Sequence, residues 1–220
     1  MIYLGIPTYN GQIHHTTVAG LCQVSRHCGK AGMGIALDVV PHDAFIDRAR
    51  NLLVKRFLAS PATDLIFIDA DVGFALDDFA KLCRPDVDIS MGLYCVKDDK
   101  RLAFPALMGA PERRLPQEGA NDLIGLDYGP AGFMRVKRAV FEAMIAKWPD
   151  EYYEDGTEGK IYDLFPCGRI GNSFIGEDIS FCQRAKECGF DIWAVQGTNL
   201  LHSGEKTWPA KWQIDVQVAA

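Results

Sequence analysis

The 220-residue sequence lacks the marks of a membrane, nucleic-acid-binding or disulfide-stapled protein. No apolar run approaches the length needed to span a bilayer. The opening MIYLGIPTYNG has no basic n-region of a secretory leader, so a cytoplasmic location is expected. Positive charge is in deficit, with 23 Lys and Arg against 29 Asp and Glu for a net charge of −6, which removes the basic footprint of a duplex-binding protein. The cysteines Cys22, Cys28, Cys83, Cys95, Cys167, Cys182 and Cys188 are odd in number and form no C-x-x-C pair. Most lie within apolar patterns, so reduced, buried thiols are expected rather than disulfides or zinc ligands. Repeats, low-complexity tracts and long linkers are also missing. With 48% apolar and 24% charged residues, a chain of this size is expected to form one domain over residues 1–220.

The first hundred residues alternate strand and helix patterns. Strands are predicted at Ile2–Ile6, Gly34–Val40, Leu65–Ile68 and Ile89–Tyr94, and helices at His15–Cys28, Phe45–Leu58 and Asp77–Cys83. That alternation predicts a largely parallel sheet covered on both faces. The second half is more mixed. Pro105–Asn121 reads as a loop or hairpin region, and Leu123–Tyr128 and Gly132–Val136 as strands flanking a Gly-Pro-Ala-Gly turn. A helix is predicted at Arg138–Trp148, an exposed acidic stretch at Pro149–Lys160, a helix at Glu177–Cys188 ended by Gly189, and a last strand at Ile192–Val195.

The most informative segment is Asp64–Phe74, DLIFIDADVGF. A buried strand there ends in Asp69-Ala70-Asp71, at the edge where open α/β sheets bind ligands. Two carboxylates at a strand exit can converge on a hard divalent cation, which in turn can hold a diphosphate. The competing reading is that the pair caps the helix around Leu76–Leu82. Asp71 is the favoured metal ligand, with Asp69 either a second ligand or a ribose contact. His202, after Leu200-Leu201 and before Ser203-Gly204, is expected at a strand end facing the same edge. Imidazole with carboxylates suits Mn²⁺ or Mg²⁺, Mn²⁺ the better because it accepts nitrogen more readily.

Pro7–Asn10, the loop after the first strand, fits either a nucleotide contact or an ordinary Pro-containing turn. Arg50 fits either a bidentate phosphate contact or a solvated helix face, whereas Arg48 reads as a solvated helix residue. Glu177 and Asp178 open a helix whose dipole favours acids there, and whose rigidity suits a general base.

In chain order, GIPTYNG, IDADVGF, YGPAGFMRVKRAVFEAM, GEDISFCQRAKECGFDIW and LLHSGE resemble the GT-A glycosyltransferases, in particular compact bacterial and bacteriophage members. The resemblance runs from Tyr3 to about Lys206. It implies an α/β, Rossmann-like GT-A fold with a mostly parallel central sheet, helices on both faces and an antiparallel element in the second half. Residues 1–100 would form the nucleotide and metal half, and 101–220 the donor-sugar and acceptor half. Pro7, Thr8 and Tyr9 would lie along the nucleotide, Arg50 near ribose or phosphate, and Asp69, Ala70 and Gly132 against the donor. Asp69, Asp71 and His202 would provide the metal site, and Lys97 and Lys206 diphosphate contacts. Glu177 and Asp178 would face donor sugar and acceptor, with Asp178 as base. The implied reaction is Mn²⁺- or Mg²⁺-dependent transfer of a sugar from a nucleoside-diphosphate sugar, such as a UDP-sugar, to a hydroxyl on a glycan, protein or modified nucleobase.

Three other readings share parts of this pattern. A haloacid-dehalogenase-type phosphotransferase also carries Asp-x-Asp after a strand, but the Thr or Ser expected soon afterwards is replaced by Val72-Gly73-Phe74. A sugar nucleotidyltransferase would open with a Gly-rich, basic phosphate loop, whereas PTYNGQIHH has one Gly and no Arg or Lys. A non-catalytic nucleotide-sugar-binding module would bind donor without turning it over.

Overall fold

The computed structural model describes residues 1–97, 107–108, 113–117, 123–204 and 206–210. In the first part of the chain the elements are β1 (Ile2–Pro7), α1 (His15–Ala31), β2 (Ile35–Val40), α2 (Ile46–Leu58), β3 (Asp64–Ile68), β4 (Val72–Gly73), α3 (Leu76–Cys83) and β5 (Ile89–Gly92). The short strands β6 (Leu107–Met108) and β7 (Arg114–Leu115) follow, then β8 (Leu123–Tyr128), β9 (Phe133–Lys137) and α4 (Arg138–Lys147). The remaining elements are β10 (Tyr152–Asp155), β11 (Gly159–Tyr162), β12 (Gly168–Ile170), β13 (Ser173–Ile175), α5 (Glu177–Glu187), β14 (Ile192–Val195), β15 (Leu201–Ser203) and β16 (Thr207–Pro209). Much of the predicted loop region at Pro105–Asn121 lies outside the described residues.

The main sheet runs β2-β1-β3-β9-β5-β14-β8-β6, with β7 also on β8. Strand β1 is parallel to β2 and β3, and β5 to β14. Strand β9 runs against both β3 and β5, so those five strands share one direction around a single reversed one. Alternation decides which face each strand residue covers. Tyr3, Leu65, Phe67, Met134 and Val136 pack with Leu53 and Phe57 of α2, Phe141 of α4 and Phe181 of α5. Leu4, Ile6, Ile66, Ile68 and Phe133 pack on the opposite side with Leu21 and Val24 of α1 and Phe79 and Leu82 of α3. Helices therefore cover both faces, as predicted.

Two of these expectations gain detail from the structure and one, the burial of the cysteines, needs correction. Strands β8 and β9 flank the Gly-Pro-Ala-Gly turn but do not pair with each other, because β5 and β14 lie between them. Hydrophobic alternation qualifies a segment as a strand without naming its neighbour. Part of Pro149–Lys160 is ordered as the β10–β11 hairpin, where the Lys160 ammonium sits over the Tyr152 and Tyr162 rings at 3.9 and 4.5 Å. All seven cysteines are free, but only Cys28, Cys95 and Cys182 are buried, whereas Cys22 and Cys167 are exposed.

Two arginines, one buried and one partly exposed, tie this framework together. Arg135 on β9 donates to the carbonyls of Cys83, Pro85 and Val87, at 3.1, 2.8 and 2.6 Å. Arg138, at the start of α4, donates to the carbonyls of Phe57, Leu58, Ser60 and Ala62 and so closes the C-terminal end of α2.

Candidate active site

The shared strand direction brings the ends of β1, β2, β3 and β5 to one edge. The start of β9 arrives at the same edge because that strand is reversed. The Asp69-Ala70-Asp71 turn leaves β3 here and is held by its neighbours. Val72 N–H donates to the Asp69 carbonyl at 3.0 Å, closing the turn, and Asp69 N–H donates to the Gly132 carbonyl at 2.9 Å. His14 N–H reaches the Ala70 carbonyl and Ser203 N–H the Asp71 carbonyl, both at 2.8 Å. Thr17 Oγ1 bonds the carbonyls of Ala70 and Val72 at 3.2 and 3.0 Å. Neither Asp69 nor Asp71 caps α3. Asp78 takes that role, accepting from Ala75 N–H at 2.8 Å and Asn199 N–H at 2.7 Å.

Strand β15 pairs antiparallel with β4, setting His202 opposite Val72 and next to the turn. His202 Nδ1 lies 2.7 Å from the Cys95 carbonyl, which can only accept, so Nδ1 carries the proton. Burial lowers the pKa of this ring below the ordinary histidine value, which favours the neutral form. Its Nε2 then presents a lone pair, 3.8 Å from Asp71 Oδ1. The Asp71 side chain is 39% exposed, and its Oδ2 is ion-paired with Lys97.

Asp71 and Lys97 open onto a cleft of about 680 Å³, whose wall also includes Pro7, Tyr9, Asp69 and Ala70; His202 is not in that wall and reaches it only through Asp71. Tyr9 is 77% exposed. Thr8 is buried, bonds the Val40 carbonyl at 3.3 Å and accepts from Gly11 N–H at 3.1 Å; it shapes the loop and does not line the cleft. Lys206 lies in the turn between β15 and β16, where its carbonyl accepts from Gly204 N–H at 2.7 Å. Arg48 pairs with Asp43 at 2.9 Å on the surface, as expected of a solvated helix residue.

Gly132 is required by close packing. A Cβ there would meet Tyr94 Oη at 2.3 Å and Asp69 Oδ2 at 2.4 Å. Asp69 also reaches inward, its Oδ1 accepting from Arg50 Nη2 at 2.9 Å. Arg50 is only 2% exposed, and its Nε faces Glu177 Oε1 at 3.4 Å. Glu177 and Asp178, at the start of α5, are therefore joined to the Asp69 turn through a buried guanidinium, without lining the cleft themselves. Burial, and then the neighbouring Glu177 charge, raise the Asp178 pKa above the usual carboxylate range. Asp178 Oδ1 accepts from Ile179 N–H at 2.8 Å, which fixes the carboxyl.

His14 and His15, which no motif singled out, also line the cleft, with their rings 4.2 Å apart. His14 caps α1, its Nδ1 accepting from Thr16 N–H at 3.4 Å, so the neutral ring carries its proton on Nε2. The available signal was the pair's position directly ahead of an amphipathic helix, a capping position that histidine rarely fills.

No protein-family model matches this sequence, and no curated protein sequence is similar to it. Solved structures do match. A197 from STIV superposes with a TM-score of 0.56 at 14% identity, covering 98% of each chain. GalNAc-T7, solved with UDP, GalNAc and Mn²⁺, superposes with a TM-score of 0.54 at 10% identity, over 91% of this chain and 43% of its own. At such identities the likeness concerns the fold, and the fold is GT-A-like: a mixed α/β, Rossmann-like sheet with helices on both faces.

Proposed function

We propose that this protein is a metal-dependent glycosyltransferase (hexosyltransferase class, EC 2.4) that moves a sugar from a nucleoside-diphosphate sugar to a hydroxyl acceptor. The observation that carries this reading is the convergence of Asp69, Asp71 and Lys97 on one open cleft at the C-terminal strand edge, with His202 Nε2 facing Asp71 Oδ1 from behind the cleft wall at 3.8 Å. The GT-A-like fold supports it, as does the GalNAc-T7 complex, in which that protein holds UDP, GalNAc and Mn²⁺.

Residues 1–100 would hold the nucleotide and metal, with Pro7 and Tyr9 along the nucleotide and Thr8 shaping their loop. Residues 101–220 would meet the sugar and acceptor, with Lys206 beside the diphosphate. Asp71 and His202 would hold Mn²⁺ or Mg²⁺. The fixed His202 tautomer fits a metal ligand, because it leaves an unprotonated nitrogen facing a carboxylate oxygen. Among the described residues no group of three His, Cys, Asp or Glu side chains stands where together they could hold a metal ion, and Asp71 is engaged by Lys97, so Asp69, Asp71 and His202 would have to draw together on loading. Loading would release Lys97 for the diphosphate, while Asp69 stays tied to Arg50. When bound, the cation supplies neutralisation of the departing diphosphate. Asp178 takes the proton of the acceptor hydroxyl as the new C–O bond forms and the sugar–phosphate bond breaks. Its raised pKa makes it a stronger base than a solvated aspartate.

Calorimetric titration with Mn²⁺ and a panel of nucleoside diphosphates tests the reading, followed by acceptor-free hydrolysis of the matching nucleotide sugars. Metal-dependent diphosphate binding and slow sugar release are expected. Binding that ignores the metal, or none at all, refutes the site. Tight donor binding without turnover would instead make the protein a binding module.

A further inference from the structure

We infer that Arg50 is a positioning residue, a buried cation that holds the Asp69 carboxylate of the cleft and the Glu177 carboxylate of α5 in a fixed relation. The inference rests on the transferase reading and adds to it the device that couples its two halves. An arginine that read phosphate would present its guanidinium to the cleft. Arg50 is absent from the cleft wall and 2% exposed.

Its Nη2 is committed to Asp69 at 2.9 Å and its Nε faces Glu177 at 3.4 Å, while the Phe67 ring lies 5.4 Å from its Cζ. The chain brings these groups from distant places: Arg50 from α2, Asp69 from the end of β3, Glu177 from the start of α5. The third nitrogen, Nη1, is buried with no hydrogen-bond partner among the described residues. Burying a charged donor while leaving one N–H unsatisfied is costly. A site selected for stability alone would fill that volume with an apolar side chain. The arrangement makes sense if the fork geometry is needed to span two carboxylates, which a lysine ammonium, as a single point charge, does not reproduce.

The span has a chemical consequence. Asp69 Oδ1 is drawn inward by Arg50 while its Oδ2 packs on Gly132, so the carboxylate has one orientation toward the cleft. Glu177 is held beside Asp178, and Arg50 is the cation that offsets the Glu177 charge there. Arg50 thus fixes where the donor-side turn stands relative to the proposed base. Misplacement on the order of 1 Å can cost about 100-fold in turnover.

The test separates binding from turnover. Arg50→Lys is expected to keep metal-dependent nucleoside-diphosphate affinity within about threefold while lowering donor turnover by roughly 10- to 100-fold. Adding Glu177→Gln to Arg50→Lys should cost less than the product of the two single effects, because both disturb one unit. Arg50→Met should move the acid limb of the pH–rate profile upward, since the cation that favours ionised Asp178 is gone. A parallel loss of affinity and turnover in Arg50→Lys would make Arg50 a donor contact, and full turnover or strictly additive effects would remove its positioning role; each overturns the inference.

A thermal unfolding series keeps the test independent of substrate. Arg50→Met should lower the Tm sharply, and Asp69→Asn with Glu177→Gln should restore much of it. If that recovery is absent, the inference fails even where donor binds. If the wild-type protein binds no nucleoside diphosphate but the recovery is seen, the transferase reading fails while the coupling of the two carboxylates stands.

Discussion

Replacing Gly132 by alanine tests whether the cleft depends on the close approach of β9 to the Asp69 turn. The added Cβ would lie 2.3 Å from Tyr94 Oη, 2.4 Å from Asp69 Oδ2 and 2.8 Å from Asp69 Cγ, against ordinary contact at 3.4–4 Å. Something must retreat by about 1 Å, and little is free to do so. Tyr94 is buried, its Oη accepts from Gly132 N–H at 3.2 Å, and its ring packs against His202 at 4.8 Å. Asp69 is anchored by Arg50 and by its own N–H to the Gly132 carbonyl. Overpacking of this kind costs about 1–3 kcal/mol. For a domain of this size that is a Tm loss of roughly 2–12 °C, at about 2–4 °C per kcal/mol.

Differential scanning calorimetry reads the loss, and metal-dependent diphosphate binding should weaken in parallel as the displaced Tyr94 ring pushes on His202, the proposed metal ligand. Gly29→Ala supplies the control of opposite sign. Gly29 lies within α1, and a Cβ added there would meet nothing within 4 Å, so alanine should add about 0.4–1 kcal/mol. A Gly132→Ala protein with wild-type Tm and diphosphate affinity would refute the packing argument.

Asp71→Ala should abolish metal-dependent diphosphate binding while leaving the Tm nearly unchanged, because the side chain is partly exposed and paired only near the surface; retained binding in calorimetry would move the metal elsewhere. Asp178→Asn keeps an oxygen to accept from Ile179 N–H, so folding and donor affinity should persist while turnover falls by roughly 10²–10⁴-fold. In the wild-type protein turnover should fall on the acid side with a limb above the ordinary carboxylate range, because burial raises the Asp178 pKa and the protonated acid cannot take up a second proton; a limb at the value of a solvated aspartate would count against it as base. Arg138→Met should destabilise by about 1.5–3 kcal/mol or more in urea unfolding, since it strips charged donors from the carbonyls that end α2.

The strands and helices of the first hundred residues were legible because each carries its own periodicity. The run Leu65-Ile66-Phe67-Ile68 is buried on both faces of the sheet and reads as a continuous apolar strand. The placement of the acidic turn at its exit followed from that. The insertion of β9 between β3 and β5 was not legible, since MRVK looks like an amphipathic edge segment. Its Arg135 is nonetheless 5% exposed, bonded to carbonyls that no local pattern reveals. Arg50 shows the same limit: adjacency to Ala49 and Leu53 on a helix hints at a buried face, but only the fold brings Asp69 and Glu177 to it. Thr8 reads as a nucleotide contact by motif, and its burial against Val40 depends on where β2 lies.

The reversed strand at the centre of the sheet also has a consequence for how the chain comes into being. During synthesis β1, β2 and β3 can pair as soon as they emerge, but the free edge of β3 stays uncovered until residues 133–137 leave the ribosome. The long wait before that pairing raises contact order and exposes an adhesive edge on the nascent chain. The cleft matures later still, when residues 201–203 return to pair with Val72 and Gly73. A stalled or truncated product would therefore be sticky before it could be active.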